Sequence, residues 1–568
     1  VEKTAGKNDP VVATFHAKVE ENATSATVRF VVRSKDKSDQ VEVTIPVDSR
    51  TITVRESKAG TWTGPAFEPA KQAPTAWFTS PGDYDLTLST SPYLTKLLGI
   101  PVVLDYPHGC FEQKSSRLLV YTALAKLLAF LPQPEERDAN YRRVIEDTLR
   151  EFEKSVLPDD TLPYWPYGTE GNAYVTIQAA WAVAQAAQAG YDVPEGLTNS
   201  LPNALKQMAL RKSRLEVDPT LRAFALFVLS QLDAEPDDEL TAAANELFLA
   251  RDHLTDEGRA TLAIAFHTWD VEPEHQQELI REIPEKFVPR SFNPVTFSSS
   301  TRAEAICTWA RLLITPDANP KGLIAGLEAQ MNNSTSLSTQ ENLWLLIAFN
   351  AFLEQKPPAK FGTALAPKPD AVSENRTAAA WITRDLTKLR DLTIKNIGKS
   401  GTYLLAARRS LAPDEQKAVD KGMRVERVVK NLTDATRTGT AAAPFKLGDQ
   451  VLVSFRFHTD EPQSYVAVEA ALPASLEVLN PNLEMIGKFY QIPDEPGAPA
   501  AWLSYAEMRD KQTNLYFDTL PAGAHSYAIL ARVTAAGVFA WPSTQMTPMY
   551  DSRFYARSAP SQCAAVSQ

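Results

Sequence analysis

Cys110 and Gln113, within Pro107-His108-Gly109-Cys110-Phe111-Glu112-Gln113, place a thiol three residues before a side-chain amide. If a helix begins near Cys110, that spacing sets the sulfur and the amide carbonyl on one helical face. Displacement of ammonia from Gln113 by the sulfur would close an internal thioester, a stored acylating agent that reacts once and does not turn over. Gly109 removes a side chain where backbones must come close, and Pro107 favours an extended approach to the helix. A helix N-terminus stabilises a thiolate, which favours attack on the amide. Glu112 is placed to assist the proton movement as ammonia leaves. Other uses of Cys110 fit less well. A His108/Cys110 metal pair lacks further ligands. A cysteine protease needs a general base held in the fold, and adjacent His108 has poor spacing for it. The bland alternative is a buried cysteine opening an ordinary helix.

The elements that must hold this pair follow from hydrophobic periodicity. After Cys110 the chain runs Leu118, Leu119, Tyr121, Leu124, Leu127 and Leu128, an apolar face able to anchor the site. Apolar helical stripes centre near 111–131, 173–189, 219–232, 256–269, 299–314 and 337–354. More polar helices lie between them at 136–155, 195–212, 237–251, 273–286 and 317–331. This alternation predicts repeated helical hairpins, either an open superhelix or a closed α/α toroid with apolar helices inside. Closure is the expectation, because neither terminal hairpin carries a polar cap. Strand patterns flank the helices: 26–32, 41–47 and 51–54 read as part of a β-sandwich, and 57–80 as a linker. Residues 391–409 read as paired strands around Gly398-Lys399-Ser400-Gly401, and the chain from 447 as an all-β sandwich.

Composition removes several function classes. At 568 residues the chain exceeds one core, and roughly three or four domains is the length expectation. A net charge of −11 offers no basic face for nucleic acid. No run of about 18 apolar residues predicts a membrane span. Three cysteines are too few and scattered for a disulfide framework or zinc site. Cys307, in an apolar helical run, is read as a core thiol, and Cys563 as part of a polar, alanine-rich tail without chemistry. No cofactor or metal is called for.

Residues 106–117, Tyr-Pro-His-Gly-Cys-Phe-Glu-Gln-Lys-Ser-Ser-Arg, resemble the thioester segment of bacterial alpha-2-macroglobulins, relatives of the complement thioester proteins. Tyr164-Trp165-Pro166-Tyr167-Gly168 is similar to that family's second toroid hairpin, and Ser338-Thr339-Gln340-Glu341 to its late Ser-Thr-Gln helix. Gly448-Asp449-Gln450-Val451 and Leu472-Pro473-Ala474-Ser475-Leu476-Glu477 resemble its last macroglobulin domain, and Met549-Tyr550-Asp551 its closing strand. The resemblance implies a multidomain α+β fold. An α/α-toroid thioester domain (76–358) would be inserted in a CUB-like β-domain (1–75 and 359–420), followed by a macroglobulin-type β-sandwich (421–568).

The implied function is that of a fragment of a broad-spectrum endopeptidase inhibitor. In the intact protein, cleavage of a bait segment exposes the thioester, and a lysine amine of the attacking protease is acylated at Gln113, freeing Cys110. Partners would be target endopeptidases and N-terminal macroglobulin domains lying outside this sequence, so the chain is not expected to sense a protease alone. Tyr550 and Tyr106 are the implied shields over the thioester. Residence would be periplasmic or at the cell envelope of a Gram-negative bacterium, with any lipid anchor on the absent N-terminal part. The stretch 215–221 lacks the histidine that some complement relatives use to favour hydroxyls, so amine targets are expected. Competing readings are an α/α-toroid hydrolase or cyclase using Asp159, Asp160 and Glu170, and a thioester adhesin.

Overall fold

Helices in this chain start where a short polar side chain can satisfy the first free N–H groups. Asn172, Asp218, Asp237, Thr255, Ser299 and Ser338 each accept a bond from a backbone N–H two or three residues on, each contributing about 1 kcal/mol. The computed structural model describes residues 25–567 except 35–36, 47–52, 65, 79–81, 90–98, 105, 107, 131–136, 233–235, 289, 316–321, 328–336, 357–371, 376–378, 396–399, 412–415, 480–501 and 510–511. Pro107 and the Gly398-Lys399 turn therefore lie outside the described residues.

The helices are α1 Gly99–Leu104, α2 Phe111–Tyr121, α3 Arg137–Ser155, α4 Ala173–Gln188, α5 Glu195–Ala209 and α6 Pro219–Gln231. They continue as α7 Asp238–Leu249, α8 Asp256–Thr268, α9 Pro273–Glu282, α10 Ser300–Ile314, α11 at 322–327 and α12 Thr339–Gln355. Hydrophobicity sorts them. α4, α6 and α12 are buried almost all round, whereas α7 buries one stripe of Leu240, Ala243, Ala244, Leu247 and Phe248. Each even-numbered helix from α2 to α10 packs on the next even-numbered one, and α12 packs back on α2. Trp181, Trp309, Trp344, Phe224 and Phe227 meet ring to ring inside this circuit.

A five-stranded antiparallel sheet is assembled from both sides of the helical segment. Its order is Thr53–Thr63, Ser400–Ser410, Gly82–Ser89, Ala379–Asp385, Val372–Asn375. This corrects three expectations. The segment 57–80 is not a linker: its first residues pair with Ser400–Ser410, and Trp77 is fully buried in that sheet's core. The leading β-segment extends through Ser89, beyond the expected boundary at 75. Among the described residues, 391–409 form no hairpin. Ile394–Lys395 pairs with Ala66–Phe67, and Gly401 lies so close to Trp62 that a Cβ would come within 2.2 Å of the indole. Only glycine allows that approach.

Ser25–Ser34 and Lys37–Pro46 pair with each other alone among the described residues, and Phe30, Val32, Val41 and Val43 are exposed. They are a two-stranded ribbon rather than sandwich strands.

The C-terminal unit is all-β. A six-stranded and a four-stranded antiparallel sheet send alternate residues into one core, including Val453, Phe455 and Ile529 from one and Val466, Val468 and Leu515 from the other. Val419–Lys421 already belongs to the six-stranded sheet, pairing with Tyr555–Arg557. Cys563 is not in a loose tail. It is buried in the strand Ser561–Val566 and accepts a bond from Ser475 Oγ at 3.2 Å.

Candidate functional site

Cys110 caps α2 with an extended backbone (φ −68°, ψ 155°), and helical geometry begins at Phe111. The Phe111 N–H donates to the carbonyl of Tyr164 at 3.0 Å, tying the loop between α3 and α4 to the start of α2. Cys110, Phe111, Glu112 and Gln113 are all buried. Both polar atoms of the Gln113 side chain are buried without a hydrogen-bond partner among the described residues. An orphaned buried amide costs about 1–3 kcal/mol per group, so this pair is unusual in a well-packed core.

Glu112 faces the opposite situation. Its carboxylate accepts from Ser116 Oγ at 2.7 Å, from Gln340 Nε2 and from the Tyr550 hydroxyl. Gln178 Nε2 donates to the Glu112 backbone carbonyl at 3.0 Å and to Ser116 Oγ at 2.8 Å. Tyr174, Arg302 and Glu257 extend this buried polar chain, with Arg302 Nη1 donating to Glu257 at 2.6 Å. Burial pushes the Glu112 carboxyl up from its ordinary value, and the hydrogen bonds pull it back. Its oxygens are thus occupied in joining α2 to α12 and to the C-terminal unit.

Burial, helped by the nearby Glu112 charge, pushes the Cys110 thiol up to about 12, against hydrogen bonds from Tyr164, the Gln113 backbone and Tyr550. Burial thus works against the helix-stabilised thiolate expected from the sequence.

The cover over Cys110 comes from two parts of the chain. Met549 and Tyr550 follow directly after the strand Thr544–Pro548, so they lie just past the expected closing strand. Tyr550 is 6% exposed, and with Tyr465, Tyr516 and Met549 it belongs to the hydrophobic core of the helical unit. Its ring stacks on Phe292 (5.3 Å) and meets Phe297 and Tyr465 edge-on (5.0 and 5.5 Å). Phe297 and Tyr465 hold left-handed backbones, φ 56° and 53°, at a cost of about 1–3 kcal/mol each. The Tyr106 hydroxyl donates to the Met549 carbonyl at 3.3 Å, so this partly buried residue meets the same strand end.

Residues not assigned a role in the sequence complete the corner. The Tyr164 and Tyr550 hydroxyls lie 2.8 Å apart. Trp165 donates to Asp518 at 2.8 Å and stacks on Tyr505. His108 is buried, with Nδ1 3.2 Å from the Tyr516 hydroxyl and Nε2 3.4 Å from Glu469. Burial and then the Arg509 charge lower its pKa to about 4, so it is neutral at neutral pH. Two signals pointed here: the Tyr164-Trp165 motif, and polar Gln178 and Gln340 inside helices otherwise apolar all round. Asp159 and Asp160 lie elsewhere as turn residues, accepting from Thr161 and Asn203 at 2.6 Å each, and Glu170 is exposed. They make no acid/base pair at the site. Among the described residues no cluster of His, Cys, Asp and Glu could hold a metal, and no helix is long and apolar enough to cross a membrane.

Comparison with known proteins follows the same lines. No curated protein sequence matches the chain. Residues 422–552 match the bacterial alpha-2-macroglobulin MG10 domain. The fold is similar to native Escherichia coli alpha-2-macroglobulin spanning MG7 to the C-terminus: TM-score 0.74, 18% identity, 95% of this chain and 86% of that one. It is also similar to Salmonella alpha-2-macroglobulin reacted with methylamine (TM-score 0.74, 19% identity) and to native E. coli alpha-2-macroglobulin (0.75, 16%). This chain spans 36% and 35% of those two longer chains. Residues 422–552 thus match the bacterial alpha-2-macroglobulin MG10 domain, and the fold of the described residues is similar to that of the Escherichia coli alpha-2-macroglobulin from MG7 to the C-terminus.

Proposed function

We propose that Cys110 and Gln113 form an internal thioester and that this chain is the acylating part of a single-use covalent protease trap. The observation that carries the reading is the orphaned Gln113 amide, buried three residues from a buried thiol under a two-unit aromatic cover. Attack of the sulfur on the Gln113 acyl carbon forms the C–S bond and expels the amide nitrogen as ammonia, which takes the thiol proton. The product no longer holds a buried NH2 group, and a thioester carbonyl is a poor acceptor, so the desolvation cost of the amide disappears.

In the docked state no donor among the described residues serves the Gln113 carbonyl, so a tetrahedral intermediate formed by water finds no oxyanion stabilisation from them. A single such donor is worth about 10²–10³ in rate. The stored bond is kept both covered and unassisted. Once the C-terminal unit is displaced, a lysine amine of a protease attacks the acyl carbon, an amide forms and the Cys110 thiol is released. In the full-length protein the displacement would follow bait cleavage, in domains outside this chain.

The architecture in this reading is an α/α toroid inserted into a CUB-like β-domain. The circuit of even-numbered helices and the sheet built from strands on both sides of them support it. Glu112 acts there as a positioning residue, and Tyr550 and Tyr106 as shields. Periplasmic or envelope residence and a preference for amines over hydroxyls belong to the same proposal. The test is intact mass of denatured protein before and after methylamine, with thiol titration. A mass short by one ammonia, a masked thiol and methylamine incorporation at Gln113 are expected. Full encoded mass with a freely titrating Cys110 from the outset would sink the proposal.

A further inference from the structure

Gln113 shares the helical unit with Gln178 and Gln340, which are as deeply buried as itself. Their amides are treated in opposite ways. Gln178 and Gln340, on α4 and α12, are bonded at both ends, whereas the Gln113 amide has no partner among the described residues. Proton counting fixes how the two bonded amides lie. The Trp344 indole can only donate, and its N–H reaches Gln340 Oε1 at 3.2 Å. That contact settles which end of the Gln340 amide is oxygen, and it turns Nε2 toward Glu112 Oε1 and toward Gln178 Oε1, 2.8 Å away. Gln178 Nε2 spends its two protons on the Glu112 backbone carbonyl (3.0 Å) and on Ser116 Oγ (2.8 Å). The Ser116 hydroxyl proton then goes to Glu112 Oε1 at 2.7 Å.

The two carboxylate oxygens of Glu112 are thereby divided between two parts of the chain. Oε1 takes its bonds from Gln340 and Ser116, both in the helical unit. Oε2 takes one from the Tyr550 hydroxyl of the C-terminal unit, with Thr339 Oγ1, at 3.5 Å, as its other contact among the described residues. A carboxylate is planar, so fixing one oxygen aims the other. Glu112 directly precedes Gln113, and the carbonyl that Gln178 holds belongs to the peptide joining them.

We infer that Gln340 is the positioning residue of the thioester cover: it fixes Glu112 Oε1 so that Oε2 faces Tyr550, which latches the C-terminal unit over Cys110 and Gln113; this rests on the thioester reading above. Gln340 acts through Glu112 and Tyr550, not on the sulfur or the acyl carbon. An amide suits this place because it donates at every pH, whereas a carboxyl would donate only while protonated. Without the Gln340 bond the Glu112 carboxylate is free to turn. An oxygen that loses Tyr550 must then be hydrated, which brings water to the turn carrying Gln113.

The test times methylamine incorporation in the full chain and in Gln340→Met, Gln340→Glu, Tyr550→Phe and the Gln340→Met/Tyr550→Phe double variant. Intact mass reports the ammonia deficit and thermal unfolding the fold. Each rate is taken as a ratio to the parent chain at the same pH, so the ionisation of methylamine, His108 and Glu469 cancels. The charged groups nearest the contact among the described residues are Arg302, 3.3 Å from the Tyr174 hydroxyl, and its partner Glu257, both unchanged in every variant. Gln340→Met should react about tenfold faster at every pH, as expected for one lost hydrogen bond to a charged group. Gln340→Glu separates positioning from packing. At about pH 5 the introduced carboxyl holds a proton and donates it to Glu112, giving a ratio near one; by about pH 9 two facing carboxylates repel, and the ratio should pass that of Gln340→Met. Because Gln340 and Tyr550 act through one carboxylate, the double variant should be no faster than the faster single variant. A folded variant isolated without the deficit has already lost the bond and counts as fast. If Gln340→Met does not fold, the change with pH in Gln340→Glu decides alone. The inference is overturned if both Gln340 variants react at the parental rate, if their two ratios are equally flat across pH, or if the double variant shows the product of the single effects. A parent chain with no ammonia deficit overturns the thioester reading itself, and this inference with it.

Discussion

The helical unit buries two thiols completely, and they sit in contrasting surroundings. Cys307 lies inside α10, its sulfur donating to the Asp256 carbonyl at 3.4 Å. Cys110 lies at the mouth of α2, beside an amide with no partners among the described residues, under side chains from a different unit. Burial raises the pKa of both. Desolvation therefore does not separate a chemical cysteine from a structural one. In the thioester reading, what separates them is an acyl group within reach and a cover that can be taken away. Cys307 instead donates to a backbone carbonyl at the start of α8 and fills space in a helix pair.

The largest effect should come from exchanging the two thiols for alanine. Cys110→Ala should abolish both the ammonia deficit and methylamine incorporation, whereas Cys307→Ala should leave both intact. Incorporation surviving in Cys110→Ala would erase the distinction. Next comes the cover. Tyr550→Ala opens a path for water, and thioester loss should accelerate roughly tenfold or more, followed as appearance of free thiol with time. An unchanged rate would reject Tyr550 as a shield.

A smaller effect concerns pH and touches only the Cys110 side. His108 has a folded pKa of about 4 against an ordinary 6.5, so between these values the unfolded chain binds the extra proton. Its contribution is intact above pH 6.5 and lost as pH falls toward 4, by up to about 3 kcal/mol. Glu469, raised by burial, acts in the opposite sense: its contribution is present at low pH and lost as pH rises through its folded value. His108→Phe should therefore flatten the fall in Tm between about pH 7 and 5; an unaltered slope would show that His108 does not sense the docked interface. Smallest is the packing cost of Cys307→Ala, about 1–2 kcal/mol by denaturant titration.

Much of this contrast was legible in the chain. The Cys110–Gln113 spacing, the alternation of apolar and mixed helices, and the β-rich ends are local patterns, set by periodicity and side-chain chemistry within a few residues. Misreadings arose where long-range contact decides. Residues 57–80 look like a linker because Gly60, Gly64 and several prolines punctuate them, yet Thr53–Thr63 pairs with strand residues over three hundred positions away. The thiolate expectation met a similar difficulty: a helix terminus is visible in sequence, whereas the burial that raises the thiol comes from tertiary packing.

The amino-acid order alone placed a thiol and an amide one helical turn apart, the spacing on which the proposed reaction between Cys110 and Gln113 rests. It also determined which helices must be inside, through their apolar content. The tertiary structure decided whether that pair is wet or dry, which hydroxyls stand over it, and that the Tyr550 cover comes from a separate β-unit. Those properties depend on residues brought together from positions 106, 108–117, 164, 292–297, 340, 465 and 550, and no local pattern encodes the electrostatics of such an assembly.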